Sequence, residues 1–116
     1  MLFMLIVKAS KNSEAGNLPS KELMEAMDKF NDDLDEAGVK VMAKGLQPSS
    51  NGIRISYEKP GEAPVVTHGP FSEPKDVIAG FFLIDVKSRE EAVEWAMKAP
   101  DPQGDGEGQI ELRQLY

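Results

Sequence analysis

Residues 2–8 form an almost unbroken apolar run, Leu2-Phe3-Met4-Leu5-Ile6-Val7 ahead of Lys8. Such a run, without alternation, predicts a central strand covered on both faces. Polar residues 10–19, punctuated by Gly16 and Pro19, predict a loop. Ser20 stands where a helix N-cap belongs, with Glu22 in the first turn near the positive end of the dipole. Leu23, Met27, Phe30, Leu34 and Ala37 follow at steps of four, three, four and three, which is one apolar stripe of a helix, and Gly38 supplies a left-handed stop. The same helix ends in Asp32, Asp33, Asp35 and Glu36, charges that oppose its dipole. Packing of the stripe must outweigh a few tenths to about 1 kcal/mol for each of them.

Beyond Gly38, residues 39–46 read as a second strand, ended by Gln47-Pro48. Residues 49–52 are polar and predict a turn, and residues 53–57 alternate as a third strand. The loop Glu58-Lys59-Pro60-Gly61-Glu62-Ala63-Pro64 leads into a short strand over 65–67. Residues 79–86 predict a further strand, with Phe82, Ile84 and Val86 on one face and Phe81, Leu83 and Asp85 on the other. Ser88-Arg89-Glu90-Glu91 matches a capping box and opens a helix that runs to about Lys98 and stops at Pro100. Ala92, Trp95, Ala96 and Ala99 form its apolar side, and Trp95 is read as packing. An acidic, Gly-rich loop over 101–108 precedes a closing strand over 109–115.

This order (strand, helix, several strands, helix, strand) predicts an α+β ferredoxin-like sandwich, a mostly antiparallel sheet with two helices on one face. At 116 residues the chain is expected to make a single domain over 1–116. Two helices cover one sheet face and leave nothing for the other. Phe81 and Leu83 would then sit on an open apolar face, so a homodimer packed through that face is expected.

Charge and composition narrow the function. The 13 basic and 20 acidic side chains give a net charge of −7. Nucleic-acid binding depends on basic surface, so no nucleic-acid partner is expected. The N-terminal apolar run lacks a basic flank and a small-residue cleavage site, and is far short of the roughly 20 residues of a membrane span. It reads as a buried strand rather than a membrane element. With no cysteine there are no disulfides, thiolate metal sites or cysteine nucleophiles, which suits a reducing, cytoplasmic setting. No Walker loop, dinucleotide fingerprint, His-Glu-x-x-His pair or nucleophile elbow occurs, so no cofactor and no metal are expected. The loop at 101–108 places Asp101 and Asp105 like ligands of an EF-hand, but Leu112 falls where the bidentate glutamate is required, and a solvated loop is the better reading.

The one histidine, His68, precedes Gly69-Pro70-Phe71, a turn stiffened by proline. Imidazole exchanges a proton near neutrality, which makes His68 the first candidate for acid/base chemistry, with Glu73, Asp76 and Asp85 as carboxylates that could orient it. The bland readings stand beside these: a solvated loop histidine, and Asp85 at a strand end facing water. Lys75 with Glu73 could bind an anionic or enolic ligand or merely brace the turn. Phe71 could line a cleft.

Gly69-Pro70-Phe71 with Glu73 and Lys75 resembles the Asp-Gly-Pro-Phe signature of the YCII-related, or DGPF-domain, family. Gly80-Phe81-Phe82-Leu83-Ile84, Glu91-Ala92 with Trp95-Ala96, Gly45-Leu46-Gln47-Pro48 and Gly38-Val39 are similar to further segments of that family, in the same order. The resemblance runs from about residue 3 to 115. It implies a ferredoxin-like domain that forms a dimeric α/β barrel with a cleft sized for a small molecule. Most members have no known function, and a few act on chlorinated or hydroxylated aromatic breakdown products. His68 replaces the signature aspartate. Two functions follow as expectations. One is a cofactor-free lyase or isomerase with His68, Glu73 and Asp85 as catalytic residues and Phe71, Lys75 and Phe81 contacting the ligand. The other is a non-catalytic ligand-binding or protein-interaction module.

Overall fold

A computed structural model describes every residue except Asp105, Glu107 and the side chain of Lys75. β1 (Leu2–Lys8) is the second strand in from one edge of a four-stranded sheet. A short helix α1 (Lys11–Glu14) and the long α2 (Lys21–Glu36) lead to β2 (Lys40–Gly45). Strands β3 (Ile53–Ser56) and β4 (Val65–His68) form a hairpin before β5 (Ile78–Asp85), α3 (Arg89–Lys98) and β6 (Ile110–Gln114). The main sheet runs β2-β5-β1-β6 with every neighbouring pair antiparallel, an α+β arrangement.

Residues 10–19 are not wholly irregular. Ser10 caps α1 through its side chain, and the Ser13 hydroxyl accepts the Ser10 N–H at 2.9 Å. A pair of serines three apart closes the capping box usually made with Glu or Gln at the third position, so one turn of helix forms where the glycine and proline suggested none. In α2, Ser20 accepts the Leu23 N–H at 3.1 Å, and Gly38 takes φ 71° just beyond the C-cap Ala37. Two of the four acidic groups near the end of α2 are paired: Lys29 reaches Asp33 at 3.0 Å and Lys40 reaches Asp35 at 2.8 Å. Ser88 caps α3 as the capping box predicts, but the Glu91 carboxylate accepts the N–H of Lys87 rather than that of Ser88.

The core lies between the sheet and the helices. Phe3, Leu5, Phe82 and Ile84 from the sheet meet Phe30 and Leu34 of α2 and Ala92 of α3. The stripe on α2 buries Phe30 and Leu34, half-buries Leu23 and Met27, and leaves Ala37 exposed. Trp95 packs on this core, with its ring 6.4 Å from Phe30. The opposite sheet face carries Met4, Ile6, Phe81 and Leu83, brought together by the pairs Met4↔Leu83 and Ile6↔Phe81. All four are only half-buried.

β3 and β4 do not join the main sheet; they form a separate two-stranded one. The radius of gyration of 16.0 Å exceeds the about 13 Å of a close-packed chain of this length. No helix among the described residues is long and apolar enough to cross a membrane.

Candidate functional site

Helix α2 and the Gly-bearing ends of β2 and β5 border an open cleft of about 320 Å³. Met27, Ala43 and Phe82 give it apolar walls, and Asn31 contributes a polar group. The volume lies at the lower end of what small-molecule sites use. The Asn31 amide nitrogen donates to the Met27 carbonyl at 3.2 Å, while its Oδ1 is buried with no hydrogen-bond partner among the described residues. A buried acceptor without a donor costs free energy until something supplies one. Asn31 lies four residues after Met27 and three before Leu34, so it is a polar residue on the buried side of an apolar stripe. That placement was the available signal for it.

Phe81 stands on β5 beside this cleft with its side chain on the opposite sheet face, and the other candidate residues lie elsewhere. His68 ends β4, opposite Ile53, and is exposed, so it belongs to the strand rather than to the turn after it. Glu73 is exposed and makes no capping hydrogen bond at the 3-10 turn of Pro74–Asp76. The side chain of Lys75 lies outside the described residues. Asp85 closes β5, seven residues beyond Ile78 and about 23 Å along an extended strand. Its carboxylate takes the Met1 ammonium at 2.9 Å. Among the described residues of one chain, His68 and Asp85 form no ion pair.

The Gly69-Pro70-Phe71 turn has a second centre, which the sequence did not reveal. Ser49, in the 3-10 turn Ser49–Asn51, is the buried polar residue of the fold among those described. Its N–H donates to Glu14 Oε2 at 2.8 Å and its hydroxyl to Glu14 Oε1. Ser49 Oγ in turn accepts the Phe71 N–H at 3.0 Å. A side chain on Gly69 would fall on the Ser49 carbonyl oxygen, so only glycine lets the turn approach this closely. Arg54 stacks its guanidinium 3.9 Å above the Phe71 ring. Glycine and phenylalanine of the signature turn therefore serve to lock α1, the Ser49 turn and the hairpin to one another. Glu14 and Ser49 stand 35 positions apart in polar stretches, and no local pattern marks either.

The chain matches the YCII-related domain over residues 1–115. It belongs to the YCII-related family. No curated protein matches the sequence. Among the described residues of this YCII-related chain, no group of three or more His, Asp or Glu side chains is placed to hold a metal ion.

In the acidic loop Asp101 is held by backbone groups. Asp101 accepts backbone N–H groups of Gln103 at 2.9 Å and Gly108 at 3.1 Å, and also that of Gly106. Asp105, the second ligand of the calcium reading, lies outside the described residues. The N–H of Gln103 first, and those of Gly106, Gly104 and Gly108 behind it, hold the Asp101 carboxyl below the usual carboxylate range, against an opposing contribution from burial. A lowered folded value means that this loop adds stability above the unfolded value of about 3.9 and loses it as the pH falls through the folded one. In Asp101→Asn the deficit in melting temperature should therefore be largest near about pH 6 and shrink toward about pH 2. Melting curves with the same deficit across that range would refute this role.

Proposed function

We propose that this YCII-related protein binds a small, mostly apolar molecule carrying one hydrogen-bond donor, in the cleft between α2 and the ends of β2 and β5, and that it works as a homodimer of ferredoxin-like domains. The observation that carries the binding reading is Asn31, which lines the apolar cleft and whose buried Oδ1 has no hydrogen-bond partner among the described residues. A hydroxylated aromatic ring matches this chemistry: its ring replaces water against Met27, Ala43 and Phe82, and its O–H donates to the Asn31 amide oxygen once that side chain turns toward the cleft. The half-buried face of Met4, Ile6, Phe81 and Leu83 supports the dimer, because an apolar sheet face left in water is stabilised by a second layer.

The test is a thermal shift with phenol, catechol and toluene at millimolar concentration. Ligand bound to the folded state alone stabilises it by about 2.7 kcal/mol at a hundredfold excess over Kd. The hydroxylated rings should raise the melting temperature more than toluene, and Asn31→Leu should abolish that difference while keeping the response to toluene. No shift with any ring in the native chain would sink the proposal.

A catalytic reading of the lyase or isomerase type has its own support. His68 lies on the same hairpin face as Ile53, and an apolar face of that kind is where a second copy would pack. In this reading His68 transfers the proton, and Glu73 or a carboxylate of the second copy orients it. Turnover that survives His68→Gln unchanged would dismiss it.

A further inference from the structure

The β3–β4 hairpin has two unlike faces. The pairs Ile53↔His68 and Ile55↔Val66 put these four side chains on one side, and Arg54↔Thr67 with Ser56↔Val65 occupy the other. The second side is tied to its own chain where Arg54 stacks on Phe71. The first is bare: Ile53 is 60% exposed, and Ile55 and Val66 are each 54% exposed. A two-stranded hairpin is marginal in water by itself, and one with three β-branched side chains facing solvent needs a cover.

We propose that this hairpin is an arm that lays its Ile53–Ile55–Val66 face on the open sheet face of a second copy, which returns its own arm by two-fold symmetry. The proposal rests on the homodimer reading above and names the element that makes the contact. Three observations select a second copy as the occupant. Each chain carries both an uncovered arm and an uncovered face (Met4, Ile6, Phe81, Leu83), so reciprocal contact closes without leaving either exposed. Residues 53–68 hold two basic groups, Arg54 and Lys59, and two acidic ones, Glu58 and Glu62, so the arm carries none of the net charge of −7 that makes two copies repel. The apolar surface available on arm and face, summed over two copies, is on the order of 1,000 Å², where specific interfaces begin. His68 rides on the same face, so the arm brings the only imidazole of one chain against its partner, and any site that uses His68 is shared between copies.

Analytical ultracentrifugation of the native chain, of Ile55→Asp/Val66→Asp and of Leu83→Asp tests this. The native chain should be a dimer at micromolar concentration, and both variants should weaken dimerisation at least 100-fold. A monomeric native chain overturns the homodimer reading itself. A native dimer that Leu83→Asp dissociates and the hairpin variant leaves intact overturns the arm alone. Because the chain has no cysteine, a second experiment is independent of how well the aspartate variants fold. Ile55→Cys chains mixed with Leu83→Cys chains and treated with a short bismaleimide should give a mixed cross-linked dimer. Absence of that product from a dimeric sample would overturn the arm.

Discussion

Phe30→Ala lowers the stability of the domain by about 3–5 kcal/mol, the usual cost of deleting a buried aromatic side chain. Phe30 is 4% exposed and lies at the middle of α2, facing the sheet. Its ring meets Phe82 edge-on at 5.2 Å and Trp95 of α3 at 6.4 Å, so it joins both helices to the central strands. Truncation leaves a void that neither neighbour can fill without leaving its own rotamer, and it removes the edge-to-face contacts, worth about 0.5–1.5 kcal/mol beyond their area. Phe30→Leu keeps most of the volume and is expected to retain over half of that stability. Urea denaturation decides the matter. An alanine variant with the native midpoint would mean that α2 does not hold the core through this residue.

Glu14→Ala is expected to cost about 1.5–3 kcal/mol, because it strips a charged acceptor from two donors of one buried residue. The Ser49 N–H and hydroxyl both end on the Glu14 carboxylate, and Ser49 Oγ then receives the Phe71 N–H. Loss of the carboxylate unties α1 from the Ser49 turn and loosens the Gly69-Pro70-Phe71 turn that leads toward β5. In a double-mutant cycle, Ser49→Ala should add little once Glu14 is gone, with a coupling above about 1 kcal/mol. Glu14→Gln, which keeps one acceptor oxygen, should fall between alanine and the native chain. Strictly additive costs would show that the two residues do not act as a unit.

These two residues differ in how far they were legible beforehand. Phe30 belongs to a 3.6-residue repeat in which each member lies within four positions of the next, and a helix expresses that repeat wherever it packs. For the same reason the Ser20 and Ser88 caps, the stop at Gly38 and the alternating faces of β5 follow from neighbours along the chain. The α+β layering follows as well, since the order of elements and their apolar faces leave few ways to cover the sheet. Five blocks in family order, with the match over residues 1–115, placed the chain in its family.

Contacts between distant segments decided the rest. Whether Ser49 meets Glu14, whether Asp85 faces an imidazole or the Met1 ammonium, and whether β3–β4 extends the main sheet or leaves it all depend on how loops close, and loop closure has no local code. Asn31 makes the point within a single helix: its place in the stripe is readable, but that its buried carbonyl oxygen meets no donor among the described residues is decided only by the tertiary fold. Periodicity and capping are settled by residues a few positions apart. The identity of a buried polar atom's partner, or its lack of one, is settled by residues that only the tertiary fold brings within 3 Å.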